Sequence, residues 1–131
     1  MFGAGRNTLR IERFEDIDGW QLGRKLANQI YDLTACGLFA ADFGLRDQIQ
    51  RAAGSVMHNI AEGFDSGTNP EFIRFLGYSK RSCTEVQSEL YLALDRGYIS
   101  QAQFEVAYKL AEEAKAVVGG FIHYLRNHPK P

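Results

Sequence analysis

The sequence predicts an all-α chain folded as an up-down-up-down antiparallel four-helix bundle, and three observations predict it. Apolar residues recur at alternating spacings of three and four along four segments, the signature of helices that each bury one face. Glycine-bearing breaks separate those segments, and the single internal proline, Pro70, sits where a helix begins. No segment alternates with period two for long. Thr8 to Phe14 has a short strand-like pattern with no partner strand, so an arm is expected there.

The first helix is expected from about Gly19 to Cys36, with Trp20, Gly23, Ala27, Ile30, Tyr31 and Thr34 on its apolar face. Asp16 or Asp18 is its expected cap and Gly37 its terminator. The second runs from about Leu45 to Glu62, with Leu45, Ile49, Ala52, Val56 and Ile60 on one face and Gly63 as the stop. The third opens at Asn69-Pro70, and Thr68 with Glu71 has capping-box spacing. Its seam, Phe72, Leu76, Ser79, Cys83, Val86, Leu90 and Ala93, holds a heptad-like alternation until Gly97. The fourth starts at Ser100, with Gln103 in capping-box position, and buries Phe104, Ala107, Ala111, Ala114, Val118, Phe121 and Leu125. Gly119-Gly120 weakens that helix by ~1 kcal/mol per glycine relative to alanine. The expected organisation is an arm (1–14), a bundle domain (15–126) and a short tail (127–131).

The chain has 131 residues, enough for one domain with one core. Its 15 Lys and Arg meet 16 Asp and Glu, a formal charge of −1, which argues against a strongly basic nucleic-acid binder. Charge also balances locally. Arg46 and Arg51 stand against Asp47 and Glu62 on the second helix, and the third and fourth helices sum to zero as well. Two cysteines, Cys36 and Cys83, with no CxxC, read as free thiols of a reducing cytosol, expected as buried core residues. Met1 to Arg13 lacks an apolar run of signal-peptide length, and nothing approaches the ~20 apolar residues of a membrane span. A cytoplasmic chain with no membrane partner is the expectation.

Catalytic motifs are missing from the sequence: there is no glycine-rich phosphate loop, no GxSxG elbow and no HExxH. His58 and Glu62 have a chelating i,i+4 spacing, but one His and one Glu are too few for a closed metal site. No catalytic residue, metal or cofactor is expected.

Two polar surfaces stand out instead. Gln48, Arg51, Ser55, Asn59 and Glu62 step by three and four along the second helix, beside its apolar face. A solvated face favours Lys and Glu, whereas Gln, Ser and Asn suit a hydrogen-bonded network at a helix–helix or subunit boundary. An exposed polar flank and a ligand site remain the other readings. On the third helix, Arg74, Tyr78, Arg81, Glu85, Leu92 and Arg96 fall within one arc. Tyr, Arg and an outward Leu have the composition of a protein interface. An Arg81–Glu85 pair at i,i+4 equally suits a salt-bridged solvent face. The first and fourth helices carry wide apolar arcs, with Leu22, Leu26 and Leu33 on one and Val106, Leu110, Val117 and Tyr124 on the other. Such arcs need more cover than one bundle provides, so self-association is expected.

The run from Gln48 to Gly63 carries Gln48, Arg51, Ala52, Ser55, Asn59, Ile60, Ala61, Glu62 and Gly63 in order. It closely resembles the Q-x-x-R-A-x-x-S-I-x-x-N-I-A-E-G signature of bacterial four-helix bundle proteins. That family includes proteins encoded in 23S rRNA intervening sequences and the accessory variability proteins of diversity-generating retroelements. Trp20-Gln21, Ala27, Tyr31, Phe43-Gly44-Leu45, Glu71-Phe72, Phe75-Leu76, Ser82 and Glu85 match in support, so the resemblance spans about Phe14 to Leu125. It implies a bundle protomer assembled as a homopentamer, without catalytic activity. Retroelement members bind nucleic acid and a reverse transcriptase through a basic surface. This chain departs there: it lacks the basic charge, and Leu38 to Asp42 lacks the proline and glutamate often found before the second helix.

The expected function is therefore a non-catalytic homo-oligomeric scaffold that makes protein contacts. The alternative is an RNA- or DNA-binding accessory protein, with Arg24, Lys25, Arg46, Arg74, Lys80 and Arg81 on phosphates.

Overall fold

The computed structural model describes residues 11–128. It is all-helical over that span: a 3-10 turn at Phe14–Asp16, then α1 (Asp18–Leu33), α2 (Gly37–Ala41), α3 (Phe43–Asp65), α4 (Asn69–Asp95) and α5 (Gln101–Asn127). The arm's residues 1–10 and the tail's 129–131 lie outside the described residues.

Successive long helices run antiparallel, as their contacts show. Gly19 packs at Ile60 and Gly23 at Val56 across α1 and α3. Ser55 meets Ser82, and Ser79 meets Val56, across α3 and α4. Gln87 meets Glu112, and Phe72 meets Phe121, across α4 and α5. α1 also packs on α5, which closes the ring of helices around the core. The expected seams of α4 and α5 are buried throughout, as is the apolar face of α3. The spacing carries this far because a helix has only one face to offer a core.

The element boundaries depart from expectation in five places. Asp16 does not cap α1: its Oδ2 accepts the Glu12 and Arg13 amides at 3.0 and 3.3 Å, and so closes the preceding 3-10 turn. Asp18 is instead the first residue of α1, where a carboxylate suits the positive end of the helix dipole. α1 then stops at Leu33, before Cys36. The Thr34 hydroxyl donates to the Ile30 carbonyl at 2.8 Å and accepts from Gln50 Nε2 at 2.9 Å, which ties the end of α1 to α3. Gly37, at φ +69°, opens the short α2 in a stretch expected to be loop. This fifth helix exists because it buries Phe39 beneath the Tyr98 ring, 5.4 Å away.

α3 starts at Phe43, two residues early, with Asp42 as its cap. The Asp42 carboxylate accepts the Leu45 amide at 3.1 Å and the Tyr98 hydroxyl at 2.9 Å. The Leu45 amide first, then Tyr98 and the charge of Arg96, hold its pKa below the ordinary carboxylate range. At its other end α3 passes through Gly63 to Asp65. Gly63 is no terminator; a β-carbon there would lie 2.8 Å from Phe75 Cβ and 2.9 Å from Phe72 Cδ1. It is glycine because α4 approaches so closely.

Thr68 caps α4, accepting the Glu71 amide at 3.4 Å, but Glu71 turns to Arg74 and leaves the capping box half made. Gly97, at φ +75°, follows the end of α4 as expected. The Ser100–Gln103 box is complete. α5 continues through Gly119-Gly120 to Asn127, and the His128 ring stacks on Tyr124 at 4.5 Å.

Candidate interaction face along α3 and α4

The two polar strips of α3 and α4 meet along the outer edge of their shared packing surface. Ser55 and Asn59 are half-buried there, while Gln48, Arg51 and Glu62 are exposed. Asn59 Nδ2 donates to Ser55 Oγ at 2.8 Å, Ser55 and Ser82 share a 2.9 Å bond, and Ser82 Oγ donates to the Tyr78 carbonyl at 3.1 Å. A hydroxyl has one proton to give. Ser82 spends its proton on Tyr78, so Ser55 must be the donor to Ser82. The bonds therefore run in one direction, from Asn59 through Ser55 and Ser82 to the α4 backbone. Below them the buried Ser79 hydroxyl donates to the Val56 carbonyl at 2.8 Å.

Two turns along α4 from Ser82, Glu89 joins the strip, although the sequence reading did not single it out. Its Oε1 is buried without a hydrogen-bond partner. Burial first, then the charge and hydrogen bond of Glu85, push its pKa up to about 7, against the opposing charge of Arg51 on α3. Two carboxyl groups can share a hydrogen bond only while one keeps its proton. A buried carboxyl oxygen with no donor, beside a second carboxylate, favours the neutral, protonated form.

The remaining α4 arc is partly self-engaged. Arg74 donates to Glu71 at 2.6 Å and to the Tyr78 hydroxyl at 2.7 Å. Arg74 and Arg81 both lie over the Tyr78 ring, 5.5 and 5.2 Å from its centroid. Glu85 faces Glu89, and no ion pair joins it to Arg81 among the described residues. Leu92 is 50% exposed and Arg96, the C-cap of α4, is exposed. Beside Leu92 stands Tyr91, 52% exposed and 4.9 Å from the Phe104 ring and 5.8 Å from Tyr108. Val106 is 56% exposed on α5. Tyr91 was missed because it lies off the seam, and off-seam aromatics are the signal that finds it.

The other expected positions scatter. Arg24 and Lys25 are exposed on α1, with the Arg24 guanidinium over Trp20 at 5.8 Å. Arg46, at the start of α3, bonds Asp47 and the Ala40 carbonyl and covers Phe43. Lys80 runs beside Gly119 of α5, away from Arg74 and Arg81. These six cations therefore form no single stripe. Tyr31, expected on the core face of the first helix, is 53% exposed. Of the wide apolar arcs only Leu26 is fully buried; Leu22, Leu33, Leu110, Val117 and Tyr124 are half-buried.

Cys36 is exposed, contrary to expectation, because α1 ends before it, whereas Cys83 is buried. Burial pushes the Cys83 thiol up to about 12, with Lys115 opposing and Glu112 adding to the shift. His58 and Glu62 are both exposed on α3. Among the described residues no group of three or more His, Cys, Asp or Glu can hold a metal ion, and no helix is long and apolar enough to cross a membrane.

A solved structure of a protein of unknown function from the S23 ribosomal protein family of Bacteroides thetaiotaomicron VPI-5482 is similar in fold. Its TM-score is 0.75, with 21% identity, over 80% of this chain and 95% of that one. No curated protein matches. The model of the 23S rRNA-intervening sequence protein matches residues 15–120, from the 3-10 turn well into α5. With the helix order and the α3 signature lying inside that match, the chain belongs to the 23S rRNA-intervening sequence protein family.

Proposed function

We propose that this chain is a non-catalytic scaffold that assembles with copies of itself, as a pentamer, and makes protein contacts through the outer side of α4 and the polar strip beside it on α3. Pairwise antiparallel packing supports an up-down-up-down four-helix bundle as its frame. The observation that carries the reading is the outer side of α4, where the half-exposed Leu92 lies on the same arc as the Arg74–Tyr78–Arg81 stack and the half-exposed Tyr91 flanks it on the α5 side. Aromatic, arginine and aliphatic side chains held on a rigid helix are what protein interfaces select. Balanced charge and the free thiols Cys36 and Cys83 fit a cytoplasmic setting.

Light scattering tests the assembly. The wild-type mass should be five times that of the chain. Tyr91→Ser with Leu92→Ser, or Asn59→Leu, should reduce or broaden it, while the exposed Lys109→Ala should not. A monomeric wild type overturns the reading.

RNA is the competing partner, favoured by the exposed Arg24 and Lys25 on α1 and by the family's description. A mobility shift with structured RNA at low salt, lost steeply as salt rises, would move the assignment to nucleic acid.

A further inference from the structure

Two large apolar side chains stand largely exposed at one end of the bundle. Leu38 of α2 is 70% exposed and Phe43, the first residue of α3, is 65% exposed, more than any other large apolar residue among those described. Scattered exposed apolar residues need no explanation, but a contiguous patch does. Here no Asp, Glu, Lys or Arg is exposed between positions 35 and 44. The one carboxylate in that stretch, Asp42, is half-buried and held by the Leu45 amide and the Tyr98 hydroxyl.

The tip is also held in place. Phe39 anchors α2 against Tyr98, and the Arg46 guanidinium donates to the Ala40 carbonyl at 3.1 Å while covering the Phe43 ring, 4.7 Å from its centroid. A pre-ordered surface loses little entropy on binding. Its surroundings choose the partner. Asp32, Asp47 and Asp95 outnumber Arg46 and Arg96 at this end, a balance that an anionic lipid surface repels. An uncharged patch meets its own copy without like-charge repulsion, and a rim with both signs can set Arg of one copy against Asp of the other under two-fold rotation. Area sets the strength. At 65% exposure Phe43 offers roughly 130 Å², and one tip falls short of the ~800 Å² per partner of a stable interface. Pairing is therefore weak and concentration-dependent.

We propose that the α2 tip is a surface for a second copy of this chain, with Leu38 and Phe43 of each copy packed against the same residues of the other about a two-fold axis. The contact lies at the end of the bundle rather than along α4. It joins two chains, or two assemblies, without needing the contacts proposed for α4.

Cys36, two residues before Leu38, is exposed and Cys83 is buried, so a bis-maleimide joins native chains through Cys36 alone. Each chain reacts once, and a denaturing gel shows at most two joined chains. That product should rise with protein concentration, whereas cross-links inside a fixed assembly would not. Leu38→Asp and Leu38→Lys, each alone, should lower it at least about ten-fold, because like charges then face each other across the axis. An equal mixture of the two variants should restore it towards the wild-type level, which a folding defect would not allow. The contact is overturned if the wild-type product does not grow with concentration, if either variant cross-links like the wild type, or if the mixture does no better than its components. Flotation of the wild type, but not of Leu38→Asp, with phosphatidylcholine vesicles would overturn it in favour of a lipid surface. A wild type that is monomeric by light scattering when dilute, yet cross-links as expected, removes the pentamer and leaves the tip contact standing.

Discussion

Ser55 of α3 and Ser82 of α4 share a hydrogen bond of 2.9 Å, the central step of a directed path from Asn59 to the Tyr78 carbonyl. Removing either hydroxyl costs its partner the shared hydrogen bond, whereas removing both loses that bond only once. Ser55→Ala and Ser82→Ala should each lower stability by ~1 kcal/mol, and the double variant by clearly less than the sum. Urea unfolding of the three variants checks this; strict additivity would mean that the two hydroxyls act independently.

Glycines inside the helices should respond in opposite directions. Gly63→Ala drives a β-carbon into Phe75 and Phe72 and should destabilise by ~1–3 kcal/mol. Gly77→Ala meets no atom within 4 Å and should stabilise by up to ~1 kcal/mol. Thermal melts of the pair decide, and equal effects would contradict the close α3–α4 approach at Gly63.

Glu89 makes the stability of the chain depend on pH. Its folded pKa of about 7 lies above the ordinary glutamate value, so the folded state holds the proton more tightly than the unfolded one. Its contribution is fully present below about pH 4.3, the unfolded value, and is lost as pH rises to about 7. Glu89→Gln keeps a neutral group there at every pH. Discounted for its half-exposed position, the variant should gain ~1 kcal/mol over the wild type at pH 8 and nothing at pH 4. Chemical denaturation at the two pH values measures this, and a gain that does not change with pH would remove Glu89 as the cause.

The two thiols should differ in reactivity. Cys36 is exposed, while Cys83 is buried and held protonated to about pH 12. A thiol reagent at pH 8 should label one cysteine per native chain and two after denaturation. Fast labelling of both in the native state would place Cys83 outside the core.

The buried seams of α4 and α5 were legible in the sequence, as were the capping box of Ser100 with Gln103, the Gly97 stop and the family signature on α3. Each is a local pattern: the helical repeat decides which side chains share a face, and caps depend on residues three apart. The α3 and α4 strips were legible separately, but that they form one face was not. Their union depends on the register of two antiparallel helices, which sets Ser55 against Ser82 and brings Glu89 to Arg51.

What only the tertiary structure decided is what stands opposite a residue. Glycine ends a helix or lets another helix approach, and the local pattern looks the same for both; Phe72 and Phe75 make Gly63 the second kind. Cys36 and Cys83 are the same residue type, yet one is exposed because Thr34 ends α1 early and the other is enclosed by the packed seams. The sequence by itself determined which faces are apolar and which ends are capped. Burial and close approach followed only from packing, because each is a property of two elements at once.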